Sequence, residues 1–102
     1  MTKTFEDICK SAEILQQNEN YKAASGLFLE ALPLSEKPVE KIYVYTSLGK
    51  LFQKNKEVEK SIENFEKALP CFEGFKEQVF SEEQAVIHNN LGALYYEKDL
   101  TS

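Results

Sequence analysis

Tryptophan is absent from this 102-residue chain, histidine and methionine occur once each, cysteine twice, proline three times and glycine four times. So little proline and glycine excludes a turn-dense all-β fold, and no glycine-rich loop is present to cradle a phosphate. Cys9 and Cys71 show neither a CxxC nor a Cys/His spacing, which excludes a zinc finger and suits two reduced thiols. The single histidine, His88, has no Ser, Cys or carboxylate at a spacing that would build a triad. No catalytic residue, metal ligand or cofactor is therefore expected, and the chain reads as a non-enzyme. A surplus of positive charge is lacking too: the formal net charge of −5 argues against nucleic acid or an anionic membrane as partner. No apolar run approaches the length of a membrane span, and the first twenty residues carry charge throughout, so the expected location is the cytoplasm.

What is present is 42% hydrophobic and 28% charged residues, the balance of one globular domain spanning 1–102. The apolar residues recur with helical period, and no alternating strand pattern survives anywhere. Thr4, with Asp7 three residues on, opens a first helix with its stripe at Phe5, Ile8, Ala12 and Leu15. After a polar run a second stripe follows at Tyr21, Ala24, Phe28 and Ala31, ending at Pro33. Pro38 suits the first position of a third helix, which carries Ile42, Tyr45, Leu48, Gly49 and Phe52. A fourth presents Val58, Ile62, Phe65 and Leu69, and its pattern allows it to bend at Pro70 and run on through Phe72, Phe75, Val79 and Phe80. Ser81 and Gln84 frame a capping box for a fifth helix through Ile87, Leu91, Leu94 and Tyr95. The expected fold class is all-α, with about five helices.

These helices repeat. Ile8, Ser11, Ala12, Leu15, Tyr21, Ala24, Phe28 and Ala31 map, each 37 residues on, to Tyr45, Leu48, Gly49, Phe52, Val58, Ser61, Phe65 and Ala68. His88, Leu91, Gly92 and Tyr95 then match Tyr45, Leu48, Gly49 and Phe52 at a spacing of 43. Small residues at Ala12, Gly49 and Gly92 let a first helix approach its partner closely, and Phe28 and Phe65 fill the wedge beyond. His88 falls on a large core position. Helix pairs of this kind close no core singly and must stack.

In that order of residues the chain resembles the tetratricopeptide repeat family. The likeness covers about residues 5–98: one repeat over about 5–38, a second over about 42–75, and a half repeat over about 82–98. Ser11, Val58 and Ser61 depart from the family pattern, and the unit is longer than the usual 34 residues. The Asn89-Asn90-Leu91-Gly92 phrase in these longer units looks like the peptide-binding repeats of kinesin light chains and of spindle-orientation adaptors. The resemblance implies a right-handed superhelical α-solenoid that binds a protein or peptide in its concave groove. By register that groove holds Lys10, Glu13, Tyr43, Ser47, Lys50, Lys54, Asn89 and Asn90. Asn90 would hydrogen-bond a ligand backbone, Lys50 and Lys54 would attract an acidic segment, and Tyr43 would serve as an apolar platform. The family's chaperone-binding carboxylate clamp is missing, because its positions are held by Cys9, Glu13, Ser47, Val86 and Asn90, of which Asn90 alone resembles the clamp.

The half repeat raises a second expectation. Ile87, Leu91, Leu94 and Tyr95 would form an apolar docking patch, covered by the rest of a longer repeat array, by a helix of another subunit, or by a second copy in a two-fold dimer. An interaction module or adaptor scaffold is thus the expected function. The alternative is a structural assembly subunit, or a homodimerising scaffold, with no exchangeable peptide.

Overall fold

Thr4 opens the fold as its sequence promises. Its hydroxyl accepts from Asp7 N–H at 3.2 Å while the Asp7 carboxylate accepts from Thr4 N–H at 3.3 Å, so two orphan donors at the helix start are satisfied reciprocally. In the computed structural model, which describes residues 3–76 and 79–101, five helices follow: α1 (Phe5–Gln17), α2 (Tyr21–Ala31), α3 (Pro38–Lys54), α4 (Val58–Ala68) and α5 (Ser81–Thr101). The chain is all-α. Among the described residues no helix is long and apolar enough to cross a membrane.

The turns repeat with the helices. α1 ends on Asn18 and α3 on Asn55, and in each case the next residue, Glu19 or Lys56, takes a left-handed conformation with φ of 62° and 64°. Asn20 N–H then reaches back to Leu15 O at 2.9 Å, and Glu57 N–H to Phe52 O at 2.8 Å. These bonds satisfy the last carbonyls of each helix and fold its successor back along it.

Each helix packs on the one before it, and the core lies between them in two clusters. The first joins Ile8, Cys9 and Ala12 to Ala24, Phe28 and Ala31, and both to Val44, Leu48, Leu51 and Phe52 of α3. The second gathers Ile42, Ile62, Phe65, Ala68, Phe72, Ile87, Leu91 and Leu94. Phe28 and Phe65 are both 0% exposed, as the repeat register requires. Gly49 is the point of closest approach: a Cβ built there would lie 2.7–2.8 Å from the Phe65 ring. Beside it Ser61 Oγ donates to the Gly49 carbonyl at 2.6 Å.

Four expectations need correction. The fourth helix does not continue past Pro70. It tightens into a 3₁₀ turn over Leu69–Phe72 and ends, with Glu73 extended and Gly74 at φ 93°, because the proline withdraws a donor the helix needs. The fifth helix begins one residue earlier than its capping pattern suggests, since Gln84 N–H donates to Phe80 O at 2.9 Å. His88 is exposed, not packed in a core position. Lastly, Ile87, Leu91 and Leu94 are 0%, 5% and 0% exposed, so they form the contact of α5 with the second core and not a docking patch. Tyr95 alone of that set is exposed, and its hydroxyl donates to Glu66 of α4 at 2.8 Å.

Candidate functional site

Between α3 and α5 lies a depression of about 470 Å³ lined by Val39, Ile42, Tyr43, Thr46, Ser47 and Lys50 on one side and Phe80, Glu82, Glu83 and Val86 on the other. The helical period places Val39, Tyr43, Ser47 (or Thr46) and Lys50 on one face of α3, one turn apart. Phe80, just before α5, is held there by its neighbours, stacking edge-on with Phe72 (centroids 5.8 Å apart) and Phe75 (5.0 Å). The floor is therefore aliphatic and aromatic. Its charges are of both signs: Lys50 from α3, Glu82 and Glu83 from the first turn of α5.

Tyr43 is held on both sides. Its ring meets Phe28 edge-on at 5.7 Å, and its hydroxyl donates to the Glu13 carboxylate of α1. Burial, reinforced by the neighbouring carboxylate, pushes the phenol well above its ordinary pKa, because both disfavour a phenolate. That bond makes Tyr43 a bridge between α1 and α3 as well as a wall of the depression. Further along, Glu13, Gln16, Gln17, Tyr21 and Lys54 line a second, shallower hollow of about 360 Å³. Lys54 Nζ sits over the Tyr21 ring, 5.5 Å from its centroid, a cation–π contact that fixes the ammonium.

The structure thus brings Tyr43, Ser47 and Lys50 together in one cavity and puts Glu13 and Lys54 in the other. Lys10, Asn89 and Asn90 line neither of these hollows. Asn89 is exposed and Asn90 half-buried. Val39, Ile42, Phe80, Glu82 and Glu83 belong to the cavity without having been singled out. Val39, Ile42 and Tyr43 could have been grouped from period alone. Phe80 could not, because it reaches the cavity from outside any helix.

Burial raises both thiols above their ordinary pKa, with Glu13 and Glu40 adding to the effect at Cys9; protonated thiols are poor nucleophiles. No group of three or more His, Cys, Asp or Glu side chains is placed to hold a metal among the described residues.

No protein-family model matches the chain, and no solved structure matches it. A stretch of 60 residues is 33% identical to the Photosystem I assembly protein Ycf3 of Acaryochloris marina (strain MBIC 11017). The stretch covers 59% of this chain and 36% of that protein, so the chain spans about a third of the length of the curated relative it matches.

Proposed function

We propose that this chain is a non-enzymatic protein-interaction module of tetratricopeptide-repeat type, which holds a peptide segment of a partner protein in the hollow between α3 and α5. The observation that carries the reading is the hollow itself: an apolar floor of Val39, Ile42, Tyr43, Phe80 and Val86, flanked by Lys50 and by Glu82 and Glu83. Such a floor accepts an apolar side chain, and the flanking charges orient a segment bearing both signs. The 37-residue helix-pair repeat and the likeness to a protein named for assembly support a role in bringing proteins together.

A photo-crosslinking residue at Val86, on the rim of the hollow, tests this directly. The reading expects one dominant crosslinked partner, lost when Ser47→Arg fills the hollow and weakened by Lys50→Glu, with the circular dichroism of each variant unchanged. Crosslinks indifferent to both substitutions would reject the hollow as the binding site.

A further inference from the structure

A different side of α5 repeats the residue register of α3 at its contact with α4, and among the described residues no helix covers it. Gly49 and Gly92 occupy one register position, as do Tyr45 and His88, Leu48 and Leu91, Phe52 and Tyr95. At Gly49 the Phe65 ring stands where a Cβ would be, and Ser61 ties α4 to the glycine carbonyl. At Gly92 a Cβ would meet nothing within 4 Å. Around it lies a hollow of about 560 Å³ whose walls include His88, Gly92 and Tyr95 from α5 and Glu66 and Glu73 from the α4 side. Residues 84–96 of α5 carry no Asp, Glu, Lys or Arg, so the exposed surface of this helix is uncharged over more than three turns. A solvated helix face is ordinarily charged, as those of α1, α3 and α4 are.

We propose that this face is a seat for an amphipathic helix of a partner protein, one that places an aromatic ring on Gly92. The pattern expected of that helix is written twice in this chain: a small residue, an aromatic four positions on, and alanine three further, as in Ala24, Phe28, Ala31 and in Ser61, Phe65, Ala68. The occupant is not a second copy of the chain. Both of its helices with this pattern are already spent, since Phe28 and Phe65 are fully buried in its own core, and α5 lacks the pattern. Charge points the same way: Glu66 and Glu73 wall the hollow and the chain carries −5 overall, which favours a helix bearing Lys or Arg over another acidic copy.

The test is a fluorescent peptide with the sequence of residues 20–34, which supplies Ala24, Phe28 and Ala31 in this spacing, titrated with the full chain. Because a short helix is marginal in water, the readout is anisotropy together with peptide helicity. Saturable binding with Kd below about 1 mM is expected, with a gain of helicity. It should weaken more than tenfold when Phe28→Ala is made in the peptide or Gly92→Leu in the chain. A Cβ at Gly92 meets nothing within 4 Å, so the substitution starts from open space, and an unchanged circular dichroism spectrum and urea midpoint of the Gly92→Leu chain show that the fold is kept. A peptide carrying Glu30→Lys should bind more tightly than the parent, and lose that advantage against Glu73→Lys chain. Absence of saturation, or binding unaffected by Gly92→Leu, overturns the proposal. So does light scattering that shows a monomer–dimer equilibrium abolished by Gly92→Leu, which would give the seat to a second copy. Ser47→Arg, which fills the hollow between α3 and α5, should leave this binding intact, so the two sites are separable.

Discussion

Two glycines at one register position should answer the same substitution with opposite signs. In an open stretch of helix, Gly→Ala is favourable by roughly 1 kcal/mol, because alanine loses less backbone entropy on folding. Gly92 meets that description, with nothing within 4 Å of a Cβ, and Gly92→Ala should stabilise the chain by about that amount. At Gly49 the same methyl would lie 2.7 Å from one Phe65 ring atom and 2.8 Å from two others, well inside van der Waals contact. The ring is fully buried and has nowhere to withdraw. The Ser61 hydrogen bond at 2.6 Å also resists any separation of α3 from α4. Overpacking of this kind costs about 1–3 kcal/mol, which cancels or exceeds the propensity gain, so Gly49→Ala should be neutral to about 2 kcal/mol destabilising. Urea unfolding followed by circular dichroism at 222 nm reads both, with a common slope required for the comparison. If Gly49→Ala stabilises as much as Gly92→Ala does, α3 and α4 do not approach as described, and the seat argued for on α5 loses its template.

Phe28→Ala and Phe65→Ala should each cost about 3–5 kcal/mol by the same assay, as deletions of fully buried rings do. Glu19→Gly and Lys56→Gly should raise stability by several tenths to about 1 kcal/mol each, since both residues hold the left-handed conformation that glycine adopts without strain. Thr46 Oγ1 is enclosed without a hydrogen-bond partner, and Thr46→Val should therefore stabilise by about 1 kcal/mol; a loss of stability would mean that the hydroxyl is paired in solution. Acid should weaken the fold. The Thr4 backbone N–H holds Asp7 below its ordinary pKa, as the Lys37 and Glu36 backbone does Glu40, the Asn55 side chain Glu57, and the Lys67 ammonium Glu63. A depressed folded pKa gives stability that is present at neutral pH and lost as pH falls through that value. Urea midpoints should thus decline below the usual carboxylate range, and Asp7→Asn should flatten part of the decline.

Periodicity made α1 to α4 legible, because each stripe of apolar residues had a neighbouring stripe to meet and a polar turn or proline to end it. It also placed Gly49 at a close approach of α3 to its partner helix, although not which ring would stand there; that is Phe65. On α5 it failed in an instructive way. Ile87, Leu91 and Leu94 share a face by period alone, but period does not say what that face touches; they meet α4 and the Phe72 cluster, while the open face is the uncharged side around His88 and Gly92. Tyr43, Ser47 and Lys50 were grouped on one face by the repeat register, and they do line one hollow. Their companions Phe80, Glu82 and Glu83 were not: the apolar pattern reads Phe80 as part of a helix continuing from Pro70, and Glu82 and Glu83 read as ordinary charges in the first turn of α5. Asn90 was singled out on the strength of a motif; it is half-buried one helical turn beyond Val86 and does not line the hollow, because a motif does not say how far along a helix a hollow extends.

The two core clusters share no buried residue, and α3 is the element that contributes to both, through Val44, Leu48, Leu51 and Phe52 on one side and Ile42 on the other. Cooperativity between the two ends of the molecule must therefore pass through that one 17-residue helix. Native-state hydrogen exchange should show it as a gradient: amides of α3 open only with the whole molecule, while α1 and α5, each resting on one cluster, open at lower free energy and independently of each other. A lesion in α5 would then loosen its own cluster and leave Tyr43, Glu13 and Phe28 in place, whereas a proline at Leu48 would dissolve both halves at once.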